Sequence, residues 1–568
     1  MSFTRTLLAG ALGLTAALVI GEAVAADPER LPPLAKPKDV DSEAFSTSGT
    51  CALCHAGSDG ATAMKDAKGR SVAPYDLWQS TMMANSSRDP LWRAVVSAEV
   101  AATPNAKAAI EQKCMRCHAP LASAEARHFG VEIGMDLLYD DSAEAQLALD
   151  GVSCSMCHTI DPKNLGEPES FSGHYVNNRK RVIYGPHADP VPGPMRMHVS
   201  MTPRQGDHVR KSSLCATCHT LYTDSLDAEG KKTGHRLPEQ TPYLEWQNSV
   251  FNDEGGKRGV SCQGCHVPTR DAEGKPIETR IAHAPFGGDF PFLEPRQPFG
   301  RHVFVGANTL VPAILRDNAG ELNPRASKEA FEATIAAARE QLSKRTARLK
   351  LAGVERAEGV LRASVSVQSF VGHKFPTGHP ARRAWLQLVV SDASGKVLFA
   401  SGAHDEAGRL VAGGKVLAAD QAGGPFHPHR QVIRRADEVA VYESVMGDAE
   451  GAPTYLLLRG ASYLKDNRLL PRGWSAEHSN AKDTAPVGVA KDKDFSDAGD
   501  TVRYEVKLPE GAKGPLRVQA RLLYQVLGAR YADELFRYDT PEVAAFRRYW
   551  EKAERRPEVV AEAEQTLP

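Results

Sequence analysis

One pattern recurs five times between residues 51 and 266, and no cysteine lies outside it. The copies are Cys51-Ala-Leu-Cys54-His55, Cys114-Met-Arg-Cys117-His118, Cys154-Ser-Met-Cys157-His158, Cys215-Ala-Thr-Cys218-His219 and Cys262-Gln-Gly-Cys265-His266, and together they use all ten cysteines of the chain. Cys-x-x-Cys-His is the spacing for covalent attachment of c-type haem. Two sulfurs one helical turn apart form thioethers to the vinyl groups of one porphyrin, and the histidine behind them reaches the iron. A chain carrying five such sites must fold around five rigid planar groups, which leaves few architectures open.

Other uses of paired cysteines fit less well. Structural zinc needs four ligands from two knuckles and no histidine directly after each pair, and five pairs do not divide into two-pair sites. Disulfides have no reason to favour a two-residue spacing five times over. A thioredoxin-like motif occurs once, beside a βαβ unit, and none is evident here.

At 568 residues the chain has room for two to four domains, and Lys plus Arg (69) nearly balance Asp plus Glu (70), so nothing points to nucleic acid or anionic lipid as a partner. Residues 1–25 read as a cleaved signal peptide: Arg5, an apolar run from Leu7 to Ile20, and Ala23-Val24-Ala25 before the cleavage point. That run is short of the about 20 residues a membrane span needs. The mature protein is therefore expected in the periplasm or exported, with no transmembrane span.

The predicted fold class is multidomain α+β: a loop- and helix-rich multihaem domain followed by an antiparallel β-sandwich-like domain. The expected divisions are a linker at 26–48, a pentahaem domain at 49–325, a connecting helix at 326–353, a β-rich domain at 354–545 and a helical, charged tail at 546–568. Apolar spacing from Asp89 to Lys113 predicts a helix broken at Pro104, and Phe331, Ile335, Ala338, Leu342 and Leu349 predict another, broken by Gly353. Strict alternation from Leu361 to Gln368 predicts a half-buried strand. Further strands are expected at Trp385–Val390, Val397–Ala400, Val439–Ser444, Thr454–Leu458, Thr501–Val506 and Leu516–Tyr524, with a hairpin turn at Asp392-Ala-Ser-Gly395.

The haem region resembles bacterial multihaem c-type cytochromes related to the tetrahaem carrier that takes electrons from hydroxylamine oxidoreductase. The resemblance covers about residues 48 to 310 and is looser from about 360 to 540. Those proteins carry Tyr-x-x-Trp-x-x-Ser-x-His-Ala, whose histidine ligates an iron. Here the segment is Tyr75-Asp-Leu-Trp78-Gln-Ser-Thr81-Met-Met83-Ala84, so the resemblance implies Met83 as an axial ligand, with Met82 as its rival. A thioether ligand would raise that haem's potential relative to a bis-histidine one, whereas packing against porphyrin is the other use of both methionines. A second copy, Tyr243-Leu-Glu-Trp246-Gln-Asn-Ser249-Val-Phe251, has phenylalanine in the ligand position and cannot bind iron through it.

Five motif histidines supply one axial ligand each: His55, His118, His158, His219 and His266. For the opposite faces the candidates besides Met83 are His198, His208, His302 and His373, with His174, His187, His128 and His283 in reserve. His373 lies in Gly372-His373-Lys-Phe-Pro-Thr-Gly378-His379-Pro380, a loop stiffened by glycine and proline that resembles a feature of larger multihaem cytochromes with a β domain. It would present an imidazole from the β half to a haem.

The expected function is electron transfer through five haems between redox proteins. The alternative is a haem-dependent oxidoreductase acting on a small nitrogen or sulfur compound at one five-coordinate haem. All five motifs end in histidine, with no lysine-ended variant of the kind found in nitrite-reducing relatives. Intact-mass analysis of the matured protein is expected to show five haems above the polypeptide and no thiol open to alkylation. Ten alkylatable thiols would contradict the assignment.

Overall fold

The computed structural model describes residues 30–254, 259–497, 499–510, 512 and 514–568. The signal peptide expected at 1–25 lies outside them. Among the described residues no helix is long and apolar enough to cross a membrane. The stretch from 30 to 48, expected as a linker, packs into the body: Leu34 is 2% exposed, Phe45 is fully buried, and the Leu34 N–H donates to the Glu321 carbonyl at 2.9 Å.

The haem half is built of short helices joined by irregular chain. Four motifs lie on helices, at Ser48–His55, Lys107–His118, Cys154–Thr159 and Cys262–His266, and the fourth in chain order starts on Ser212–Ala216. Helical winding puts both sulfurs of a motif on one face. The break expected at Pro104 is present. A helix runs over Pro90–Ala102, with Pro90 in its first turn and the Asp89 carboxylate capping the Leu91 and Trp92 N–H groups, and a new helix at Lys107 carries the second motif. A hairpin of Leu221–Leu226 with Lys232–Gln240 was not expected from sequence.

The C-terminal half is a pair of facing sheets. Its main strands are β1 (Ala347–Ala357), β2 (Val360–Ser369), β3 (Arg383–Asp392), β4 (Val397–Ser401), β5 (Val432–Ile433), β6 (Val441–Gly447), β7 (Ser462–Asp466), β8 (Gly499–Lys507), β9 (Leu516–Gln525) and β10 (Glu558–Leu567). One sheet has the order β5-β8-β2-β1. The other runs β6-β3-β9-β10, with β7 on β6 and β4 on β3. All pairings are antiparallel except β5 with β8. The alternation seen in Leu361–Gln368 reflects this: Leu361, Ala363, Val365 and Val367 point inward, with Val502, Tyr504 and Val506 beside them and Leu386, Leu388, Val390, Val518, Ala520 and Leu522 from the facing sheet.

Three expectations about element boundaries change. The connecting helix covers Lys328–Arg345, and β1 begins at Ala347 because Leu349 and Leu351 pair with β2 rather than continue the helical stripe. The tail beyond 546 continues the helix Pro541–Lys552 and then becomes β10, paired along the length of β9. Its glutamates read as a solvated tail, but Glu564 and Glu562 meet Arg517 at 2.6 Å and Arg521 at 3.5 Å across the strand pair. Of Thr454–Leu458, only the first residue lies in a two-residue strand, and a 3-10 turn takes over at Leu457–Arg459.

The halves are joined through buried contacts. The Pro541–Lys552 helix lies along Pro90–Ala102, where the Ser97 and Thr540 hydroxyls are 2.7 Å apart. Glu245 of the haem half accepts the Lys374 N–H at 3.0 Å and the Thr377 hydroxyl at 2.6 Å. Beside it, Asp466 takes Lys374 Nζ at 2.6 Å and Arg468 Nη2 at 2.6 Å, all three at 4% exposure or less.

Burial alone would raise the Asp466 carboxyl, but the Arg468 and Lys374 charges outweigh it and hold it down to about 2. A depressed carboxyl stabilises the fold above its unfolded value of about 3.9, and that contribution is lost as pH falls toward about 2. Asp466→Ala is expected to cost about 3–5 kcal/mol in denaturant unfolding, because it strands two buried cations. A loss below about 1 kcal/mol would show the network to be solvated.

Candidate haem centre

The two tryptophan segments turn out to be matched clips. Trp78 Nε1 donates to the Val152 carbonyl at 3.0 Å, and Trp246 Nε1 donates to the Val260 carbonyl at 3.0 Å. Each valine lies two residues before the first cysteine of a motif. The N–H of Val152 in turn donates to the Met83 carbonyl at 2.9 Å, and that of Val260 to the Phe251 carbonyl at 2.8 Å. Met83 and Phe251 therefore hold equivalent places in two copies of one device, which sets the approach to the third and fifth motifs. Glycine precedes each valine. At Gly151 a Cβ would meet the Ala84 carbonyl at 2.5 Å on a backbone with φ +63°, so no other residue fits.

The motif histidines share one setting. Burial pushes the His55, His118 and His219 imidazoles down to about 4 and lowers those of His158 and His266. Yet none of the five residues is fully covered, and His219 is exposed. Four of them also lie with Nδ1 on a backbone carbonyl: His55 on Ile281 at 3.0 Å, His118 on Ser86 at 3.1 Å, His158 on Tyr184 at 2.6 Å and His266 on Val305 at 2.7 Å. Carbonyls only accept, so Nδ1 carries the proton and Nε2 keeps its lone pair, the tautomer a metal-binding imidazole requires.

Two of these rings face a second imidazole. His158 and His302 have centroids 6.2 Å apart, and His266 and His373 stand 6.5 Å apart with planes 12° from parallel. Metal–imidazole bonds of about 2.0–2.1 Å, with each nitrogen about 1.1 Å from its ring centre, put two rings on opposite sides of one metal about 6.3 Å apart. The partners match in tautomer as well, since His302 Nδ1 lies 3.0 Å from the Gly300 carbonyl and His373 Nδ1 lies 2.9 Å from the Lys374 carbonyl. Among the described residues, pairing of a motif ring with a second imidazole at this spacing is confined to these two. The donor set of two thiols and opposed imidazoles fits haem c.

The other candidates sit differently. Met83 is half-buried and its backbone is held by the clip. His198 is exposed on the short helix Gly193–Val199, with no side-chain cap or buried neighbour on that helix. His208 is buried, but its Nε2 lies 2.9 Å from the Ile160 carbonyl, so only Nδ1 keeps a lone pair. Of the reserves, His283 places both ring nitrogens on carbonyls, Ala284 at 2.6 Å and Ala56 at 2.9 Å. His174 lies between the Phe171 carbonyl and Arg116, His128 is exposed, and His187 is half-buried.

Sequence reasoning passed over His379, six residues beyond His373 in the same loop. Burial, with the Arg382 and His118 charges, pushes it down to about 3, which places it on the second motif's side. Its Nδ1 accepts the Ala381 N–H at 3.2 Å, the opposite polarity to the six rings above. A second histidine in one rigid loop was the available signal.

Cysteines of different motifs are neighbours. The thiols of Cys51 and Cys154, of Cys117 and Cys218, and of Cys215 and Cys262 lie close enough to perturb one another's ionisation. As disulfides these three pairs would leave Cys54, Cys114, Cys157 and Cys265 without partners and the following histidines unexplained, and all ten cysteines are free. As attachment points they would bring the haems of different motifs close together.

His302→Ala and His373→Ala are each expected to convert one of five haems from low-spin to high-spin and to open it to cyanide, as read in the oxidised optical spectrum. An unchanged low-spin spectrum in both variants would contradict the pairing.

No family model matches the chain, and no curated protein matches it. Among solved structures it is similar to a penta-heme cytochrome c552 from Thermochromatium tepidum, at 17% identity and a TM-score of 0.49, the match covering 92% of this chain and 98% of that one. A likeness at that level carries no functional claim, so the haem assignment rests on the geometry of the motifs.

Proposed function

We propose that the chain is a multihaem c-type cytochrome that passes electrons through five covalently bound haems between redox proteins outside the cytoplasm. The closeness of thiols across motifs carries this reading. Cys51 with Cys154 joins the first site to the third, Cys117 with Cys218 joins the second to the fourth, and Cys215 with Cys262 joins the fourth to the fifth. Cys157 also lies within electrostatic reach of both Cys215 and Cys218, which sets the third site beside the fourth. The sites thus form one connected path, first to third to fourth, with the second and fifth on the fourth. Electron tunnelling falls steeply with distance, and haems attached at neighbouring cysteines would keep every step short.

When bound, each haem supplies a one-electron Fe(III)/Fe(II) couple. The protein fixes ligand type and burial, and these spread the potentials and set direction. His158/His302 and His266/His373 would hold two irons with no open position. Partners would be other redox proteins, met after export directed by residues 1–25.

A specific observation favours one catalytic alternative. His219 is the one motif histidine whose residue is exposed, and after burial and the neighbouring His266 the Arg382 charge also lowers its imidazole. A fixed cation beside an open iron would suit a small anionic nitrogen or sulfur compound.

Spectroelectrochemical titration with and without cyanide separates the two readings. Transport predicts five one-electron transitions and an oxidised spectrum that cyanide leaves unchanged at the His158 and His266 haems. A high-spin band that cyanide abolishes, together with turnover of such a compound lost in Arg382→Leu, would shift the assignment to catalysis.

A further inference from the structure

Away from the haem sites, three segments of the β half meet: the loop before β5, the loop before β8 and the start of β8 itself. There His429, Asp492 and Asp500 converge, one possible ligand atom from each lying within 4.8 Å of the other two. Asp492 is 6% exposed and Asp500 is 3% exposed. His429 Nε2 is 2.8 Å from Asp492 Oδ2. The Asp494 N–H, two residues on, donates to Asp492 Oδ1 at 3.2 Å.

The charges do not balance. Asp492 has no ion-pair partner besides His429, and Asp500 has none, among the described residues. Arg503 acts on Asp494, at the outer side. The Tyr442 hydroxyl donates to Asp500 Oδ2 at 2.7 Å, whereas Asp500 Oδ1 is buried with no hydrogen-bond partner among the described residues. With Oδ2 held by the tyrosine, Oδ1 is the oxygen left free to take a ligand. Buried carboxylates that lack a cation are costly and call for one.

Local hydrogen bonds decide which cation. Asn467 Oδ1 accepts the Glu443 N–H at 3.1 Å, so its amide nitrogen is the donor to the Val441 carbonyl at 2.9 Å and to His429 Nδ1 at 3.0 Å. His429 Nδ1 therefore accepts, its proton sits on Nε2, and Nε2–H donates to Asp492. No imidazole lone pair remains for a nitrogen-preferring metal such as zinc or copper. What faces the centre is carboxylate oxygen, the donor set of a hard divalent ion.

We propose that this cluster is a calcium site in which Asp492 and Asp500 supply carboxylate oxygens and His429 orients Asp492. The ion would pin β8 to the loop before it and, through Asn467, to β6 of the facing sheet. Asn467 follows Asp466, which holds Lys374, the neighbour of His373. The Phe375 N–H donates to the Leu469 carbonyl at 2.9 Å, so the same segment supports the histidine loop. The site does not depend on the haem reading, and its test is separate from it.

Metal analysis of the full-length, haem-loaded protein, followed by chelation and thermal melts in Ca2+, Mg2+ or Zn2+, tests the proposal. The expected result is about one Ca2+ per chain, a saturable rise in Tm with Ca2+, and Ca2+ affinity weakened about tenfold or more by Asp500→Asn, which keeps an acceptor for Tyr442. His429→Gln should hold Ca2+ within about threefold of the parent. Absence of a Ca2+-dependent shift in the parent protein would overturn the proposal, as would unchanged affinity in Asp500→Asn. Tight Zn2+ binding lost in His429→Gln would overturn the choice of ion. If Asp500→Asn does not fold, Asp492→Asn and the stoichiometry of the parent decide.

Discussion

Opposed imidazoles with their protons tied back to carbonyls are the constraint on which the molecule is arranged. An imidazole can close on a metal only when its far nitrogen is fixed as the proton carrier, and His55, His118, His158, His266, His302 and His373 all meet that condition through backbone carbonyls. For the four motif rings those carbonyls come from segments far off in sequence, such as Ile281 for His55. The irregular chain between motifs is therefore placed by what it must do for the rings, and it forms little regular structure of its own.

The same demand explains why the two halves are one body. His373 belongs to the β half, yet it stands opposite His266 of the haem half. Holding it there takes the buried network of Lys374, Asp466, Arg468 and Glu245, which crosses the boundary with opposite charges paired at 4% exposure or less. Such a network contributes position more than net stability. The β sandwich acts here as a rigid arm, and its stiffness comes from the apolar faces of β2, β8, β3 and β9.

Much of this was legible in the sequence because the signals were local. Five pentapeptides name their own cofactor, and alternation from Leu361 to Gln368 marks a strand with one face inward. His373 stood out because glycine and proline restrict the chain around it. The clips of Trp78 and Trp246 were visible as a repeat, although their role, carrying the third and fifth motifs, needed coordinates. What stayed hidden depends on distant partners. β10 reads as an acidic tail until Arg517 and Arg521 stand opposite it. His198 sits in an attractive context but lies on the surface, and the tautomer of His208 is set by a carbonyl 48 residues away.

The central claim is that the five haem sites form one connected conductor rather than five separate ones. Injecting a single electron into the oxidised, fully matured protein by pulse radiolysis, and following the haem absorbance in time, tests this most directly. A connected path predicts rapid redistribution of the electron among haems at a rate independent of protein concentration. Redistribution that is slow and scales with protein concentration would mean that electrons move only between molecules, and the connected path would be wrong.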